Sequence, residues 1–223
     1  MDVADIKKQS LSSLVADFQI CQHCRIVDRD QARIRYGYMC QTCGTPGAGG
    51  HMYFEISVHL LVDLMQEAFQ TPSSIESGGP SDSKAHNVSV VLFFCTLREI
   101  TLNWLIKHLC SAQEIPYPIV KRLLADNNTH LLRMNNLLPS LVGKKWKILI
   151  DEETKASKFD YAELNEFLKK AVGARNKFMH EGKQWGIDRN LAEGCVEHIL
   201  PLLNFHALLH NRYAHPHHHA QTG

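Results

Sequence analysis

AELNEFLKKAVGARNKFMHEG, residues 162–182, carries the pattern that decides the fold. At about 100° per residue, Leu164, Phe167, Leu168, Ala171, Phe178 and Met179 fall within one arc of roughly 120°, so the segment reads as an amphipathic helix. Arg175 projects into the middle of that arc. A guanidinium keeps its proton and is costly to bury alone, so Arg175 should meet a carboxylate or open onto a site that takes an anion. Asn176 and His180, four residues apart, share a second face beside it. Gly182 is a natural helix stop, which puts His180 in the last turn. One short segment therefore offers an anion clamp, an amide and an imidazole.

Working outward, the longest apolar stretch is Asn87 to Ala112, hydrophobic nearly all round and therefore expected to be the central helix, with Asn87 as its N-cap. Arg98 and Glu99 interrupt it. Glu99 falls on a face with Leu92, Cys95, Leu102, Ile106 and Cys110, where a carboxylate needs a partner, and Arg175 is the expected one. Further helices are expected over 51–70, 119–125, 131–142 with an interruption at Pro139, and from Asp188, a fair cap, to about Asn211 with a kink at Pro201. The Ser-, Pro- and Gly-rich run 71–86 reads as a mobile surface loop, and DEETKASK, 151–158, as a polar connector. The cluster Lys144-Lys145-Trp146-Lys147 reads either as an RNA-contacting surface or as a solvated face around a buried Trp. The histidine-dense end from His210, with His217, His218 and His219, reads either as an unstructured tail or as a metal-capturing one. The fold class is mainly α.

The N-terminal part differs in kind. An arm with Leu11, Leu14, Val15 and Phe18 at helical spacing leads into CQHC (21–24), then fifteen residues, then CQTC (40–43). Each C-x-x-C supplies two thiolates from a tight turn, so Cys21, Cys24, Cys40 and Cys43 match a tetrahedral zinc site, with no open position for catalysis. The spacer can form a hairpin through Arg33-Ile34-Arg35-Tyr36, and the whole resembles a zinc ribbon. Arg25, Arg29, Arg33 and Arg35 with Tyr36 and Tyr38 interleave charge and aromatic faces as a nucleic-acid surface would, while a purely structural staple is the alternative. TPGAGG, 45–50, reads as a joint, dividing the chain into 1–50 and 51–223. Cys95, Cys110 and Cys195 lie alone inside apolar patterns and read as core residues.

A chain of 223 residues with 44% hydrophobic and 21% charged residues is that of an ordinary globule, and its net charge of +1 argues against wholesale electrostatic binding of nucleic acid. The N-terminus lacks the pattern of a signal peptide, no apolar run of about 18 residues suggests a membrane span, and an odd number of cysteines fits a reducing compartment, so a soluble cytoplasmic protein is expected.

The run Arg175-Asn176-Lys177-Phe178-Met179-His180 resembles the R-N-x-x-x-H signature of HEPN domains, many of which are ribonucleases. An acidic residue on the central helix, here Glu99, is similar to the family pattern too. The resemblance implies an up-and-down helical bundle, preceded here by the small zinc-ribbon hairpin module. It also implies a homodimer whose two Arg-His motifs face one another and cleave RNA without a catalytic metal. Arg175 would then bind phosphate, His180 would transfer protons, Asn176 would orient either the imidazole or a phosphate oxygen, and Glu99 would hold Arg175. A toxin or defence effector is the corresponding biology, with an antitoxin or regulatory protein as a further partner.

Overall fold

The computed structural model describes residues 10–29, 40, 42–46, 51–70, 80–183 and 186–214, with backbone alone for 80–83. In chain order the elements are α1 (Leu11–Ala16), β1 (Gln19–Ile20), β2 (Val27–Asp28), β3 (His51–Met52), α2 (Ile56–Gln70), α3 (Pro80–Ala112), α4 (Tyr117–Asp126), α5 (His130–Leu132), a π turn (Arg133–Leu137), α6 (Leu138–Val142), α7 (Trp146–Ala156), α8 (Tyr161–Glu181), α9 (Arg189–Glu197) and α10 (Ile199–Ala214). The protein is mainly helical with a small antiparallel sheet in the order β2-β1-β3.

Helix α3 is the axis. At 33 residues and 1.5 Å per residue it spans about 50 Å, and α2, α8, α9 and α10 pack along it. Val90, Val91, Phe94, Leu97, Leu102, Leu105, Ile106 and Leu109 are fully covered. Over Lys84–Ala112 it is long and apolar enough to cross a membrane by length and composition, against the expectation that no such segment exists. Half of that window is buried within the protein, as a central core helix requires.

Helix α8 follows the expected segment closely. Asp160 caps it, its Oδ1 accepting from the backbone N–H groups of Ala162 (2.8 Å) and Glu163 (3.1 Å). Gly182 ends it in the left-handed region at φ 63°, where only glycine is free of Cβ strain. Tyr161, Leu164, Leu168 and Ala171 are buried, but the stripe loosens in the last turns: Phe178 is half-buried and Met179 is 57% exposed, not inward as its spacing implied. Helix α9 crosses α8 at Gly194, where a Cβ would come within 2.5 Å of the Phe167 ring, and that ring stacks on His198 at 4.1 Å.

Several boundaries differ from the sequence reading. Helix α3 starts at Pro80, so Asn87 is an interior residue and not a cap, and residues 80–86 of the expected loop are helical; 71–79 lie outside the described residues. The reason is cooperative: proline suits a first helical position, and extending a stable helix costs little compared with nucleating one. Residues 51–52 form a strand and helix α2 begins only at Ile56. The polar run at 151–158 is mostly helix α7, because its carboxylates are matched: Glu153, buried at 2% exposure, forms an ion pair with Arg212 at 3.0 Å and accepts from its Nη2 at 3.3 Å, and Glu152 accepts from Lys144 at 2.7 Å. Pro139 does not interrupt the chain; the preceding π turn absorbs its missing N–H. Pro201 acts upstream of itself, since it cannot donate to the Glu197 carbonyl, and the helix breaks at His198 before resuming as α10. Asp188 caps α9 as expected, accepting from Leu191 N–H at 2.8 Å.

The N-terminal arm and the helices share one core. Leu11, Leu14, Val15, Phe18, Ile20, Val27, Tyr53 and Phe54 belong to the same buried cluster as α3, and β3 pairs with β1 across the expected joint. Trp104 Nε1 donates to the Tyr53 carbonyl at 2.7 Å, and Tyr53 N–H donates to the Phe18 carbonyl at 2.7 Å.

Candidate functional site

The four cysteines come together. Their sulfurs all lie within 4.8 Å of one another, with Cys24 Sγ and Cys40 Sγ 3.5 Å apart and Cys21 Sγ and Cys43 Sγ 3.9 Å apart. Sulfurs about 2.3 Å from a central cation in tetrahedral geometry would be separated by about 3.8 Å, so the cluster fits a four-thiolate metal site. The separations are far from the roughly 2.05 Å of a disulfide, and all four cysteines are free thiols.

Both knuckles use one local design. Arg25 N–H donates to the Cys21 carbonyl at 2.9 Å, and Gly44 N–H donates to the Cys40 carbonyl at 2.7 Å. Each of these residues sits in the left-handed region, Arg25 at φ 61° and Gly44 at φ 68°. This conformation turns both sulfurs of a C-x-x-C pair to one side. Glycine adopts it freely, whereas arginine adopts it at a cost, so the first knuckle is held from outside. His210 Nε2 lies 3.0 Å from the Arg25 carbonyl, and Asn211 brackets the next strand, accepting from Val27 N–H at 2.7 Å and donating to the Val27 carbonyl at 2.8 Å. These residues of α10 are the part of the site that the sequence reading missed. No local signal marks them, because they lie some 185 positions away in the chain.

The thiols are not equivalent. A hydrogen bond with the Thr45 side chain, 3.2 Å away, is the main cause that brings Cys43 down to about 5, whereas burial pushes Cys24 up. Loading the site with a cation therefore means expelling a proton from Cys24 against that burial. His23, inside the first knuckle, is exposed; it is not one of the four grouped ligands but interacts with Cys43. Residues Arg33, Arg35, Tyr36 and Tyr38 of the expected arginine-aromatic hairpin lie outside the described residues; the hairpin that is described, β1–β2, brackets the first knuckle instead.

The second candidate lies on α8. Arg175 Nη2 is 3.6 Å from Glu99 Oε1, as the two anomalous charges suggested, and Arg175 Nη1 donates to Asn176 Oδ1 at 3.1 Å. Arg175 is 32% exposed and Glu99 41%, so the pair contributes at most about 1 kcal/mol; its effect is to aim the guanidinium. Asn176 and His180 are exposed, and among the described residues His180 has no hydrogen-bond partner. The face thus presents a restrained cation, an amide and an unrestrained imidazole directly to solvent.

The lone cysteines are core residues: Cys95, Cys110 and Cys195 are buried, and burial raises all three thiols, Cys95 to about 11. Trp146 is half-buried, packs edge-on against Phe205 at 5.2 Å and donates its Nε1–H to Asn165 Oδ1 at 3.0 Å. Of its basic neighbours, Lys144 is bound to Glu152, while Lys145 and Lys147 are exposed. The histidine-dense tail from 215 lies outside the described residues. The sequence matches no known family model, no curated protein and no solved structure.

Proposed function

We propose that this chain is a metal-independent endoribonuclease of HEPN type, acting as a homodimer, with structural zinc in the four-cysteine cluster. The observation that carries the reading is the pairing of Arg175 with Glu99 at 3.6 Å beside an exposed His180 that has no hydrogen-bond partner among the described residues. Arg175 is held by Glu99 and Asn176 and partly exposed, and His180 beside it is open to solvent.

RNA carries its own nucleophile. In the proposed reaction one His180 takes the proton of a ribose 2′-hydroxyl, the 2′-oxygen attacks the adjacent phosphorus, and the 5′-oxygen leaves with a proton from the His180 of the second copy. The products are a 2′,3′-cyclic phosphate and a free 5′-hydroxyl. Arg175 neutralises the phosphoryl oxygens as negative charge develops on them, Asn176 orients the guanidinium, and Glu99 keeps it pointed at the site. One imidazole serves poorly as base at one oxygen and acid at the opposite one, whereas two related by a symmetry axis divide the task, which is why the dimer belongs to the proposal. Four thiolates saturate a tetrahedral cation, so zinc would hold the knuckles and take no part in the chemistry. A cytoplasmic toxin or defence effector, held in check by an antitoxin or regulatory protein, is the corresponding role.

The test is incubation of the full-length protein with a mixed RNA pool without added divalent ions, with the product ends analysed. Cleavage leaving cyclic phosphate is expected, falling by about 10²–10⁴-fold in His180→Ala and to a similar degree in Arg175→Ala. No cleavage by a folded dimer, or cleavage indifferent to His180→Ala, overturns the proposal. Retained RNA affinity in that case identifies a catalytically silent binding module.

A further inference from the structure

Arg98 stands next to Glu99 on α3 but about 100° around it, so it points away from the α8 motif. It lines an open cavity of about 860 Å³ between α3, the π turn, α7 and α8. Its situation is unusual: the only hydrogen-bond acceptor at its guanidinium among the described residues is the thioether of Met134, 3.9 Å from Nη2, and no carboxylate lies within ion-pairing distance. Burial works against its charge. A guanidinium has five N–H donors and does not lose its proton, so this is a charge facing a cavity with no carboxylate paired to it among the described residues, Glu99 acting on it only from a distance.

Asp151, Asp160, Glu163 and Glu166 line the same cavity together with Lys145, Lys147 and Lys169, but among the described residues none of these carboxylates forms an ion pair with Arg98. His130 has both ring nitrogens buried and unpaired, and Nε of Arg133 is in the same condition. The other donors of Arg133 go to neutral oxygens, Asn103 Oδ1 at 2.8 Å and the Leu124 carbonyl at 3.2 Å. His130 is held neutral, down to about 3, first by burial and then by the nearby charges of Arg98, His206 and Arg133. Glu163 and Glu166 stand exposed at the rim, with Lys169 paired to Glu166 at 2.6 Å. The half-buried wall is formed by Trp146, Pro139 and Asn165.

We infer that this cavity binds a small organic anion, with Arg98 engaging its carboxylate or phosphate in two parallel hydrogen bonds and the Trp146 wall covering its apolar body. The volume far exceeds that of an inorganic ion, and it lies in the range of sites for metabolite-sized molecules. The planar fork of arginine matches a carboxylate or phosphate, and both leave the same geometric signature. The inference is independent of what Arg175 and His180 do.

The test is calorimetric titration of the full-length protein with AMP, benzoate, inorganic phosphate and uncharged adenosine. AMP or benzoate is expected to bind and adenosine to bind at least about tenfold more weakly. AMP binding without benzoate binding identifies a phosphate site, and the reverse a carboxylate site. Arg98→Met should weaken the bound probe by about tenfold or more, Arg98→Lys should restore part of the loss, and Arg175→Ala should leave it unchanged. Without ligand, Arg98→Met should melt no lower than the parent, because it removes a half-buried charge that no carboxylate pairs among the described residues. Failure of both AMP and benzoate to bind, binding that survives Arg98→Met or is lost in Arg175→Ala, or a lower melting temperature of unliganded Arg98→Met overturns the inference.

Discussion

The four-cysteine cluster and the Arg175–His180 end of α8 are both written in short motifs, yet the chain treats them in opposite ways. The thiols gather within 4.8 Å, three of them buried, braced by backbone hydrogen bonds and by His210 and Asn211 from α10. The end of α8 keeps one restrained cation and leaves Asn176 and His180 in solvent. A group whose ligands are complete within one chain is built to be stable. A polar group left in solvent costs little stability, because water solvates it.

That contrast has consequences of graded size. The largest is expected at the closed region: Cys24→Ser, or stripping the metal with a chelator, should remove roughly a quarter or more of the ~10–16 kcal/mol that structural zinc contributes in small metal-folded domains, about 3 kcal/mol. Denaturant midpoints with and without chelator measure it. Because Val27, Phe18 and Tyr53 belong to the main core, the loss should appear in the global transition and not as a separate early one. A biphasic transition would break the comparison.

The histidines divide in the same way. His206 is 1% exposed, its Nδ1 2.9 Å from the Leu202 carbonyl, and burial holds it down to about 4; His130 is held lower still, to about 3. The unfolded chain, near 6.5, binds these protons first as pH falls. Stability is therefore fully present above pH 6.5 and is lost as pH drops towards 4. His206 alone should cost about 2 kcal/mol between pH 7 and pH 5, with His130 acting in the same direction. A urea midpoint that stays flat over that interval would show that these interior imidazoles are not held neutral.

A smaller effect sharpens the account of the knuckles. Arg25 and Gly44 occupy equivalent left-handed positions, so Arg25→Gly should remove strain and stabilise the protein by up to about 1 kcal/mol, read as a rise in melting temperature. At the open region the expected change is the smallest of all. His180→Ala and Asn176→Ala should alter stability by no more than about 0.5 kcal/mol, whatever they do to RNA cleavage. A destabilisation of 2 kcal/mol or more in either would mean that these side chains are structural.

What could be read in advance depended on how local each signal was. The α8 segment was legible almost to the residue because its cap Asp160, its stripe and its stop Gly182 are all contained within it. The Glu99–Arg175 pair was legible because two charges in apolar stripes have few ways of being satisfied. Helix α7 was not, since DEETKASK is polar by composition and is helical only because Arg212 and Lys144 neutralise its carboxylates from elsewhere. Met179 was placed inward on spacing alone, but among the described residues no neighbouring segment covers it, and it is 57% exposed.

The sequence by itself determined the helical class, the four-thiolate cluster and the axis formed by α3, because periodicity, C-x-x-C spacing and apolar content are properties of neighbouring residues. Tertiary structure alone decided that the arm and strands flanking the cysteines share their core with the helices, that α10 braces the first knuckle, and that Arg98 faces a cavity with no carboxylate paired to it among the described residues. Each of these depends on what a distant segment brings or fails to bring. Burial and charge pairing are settled between elements, where no local pattern records them.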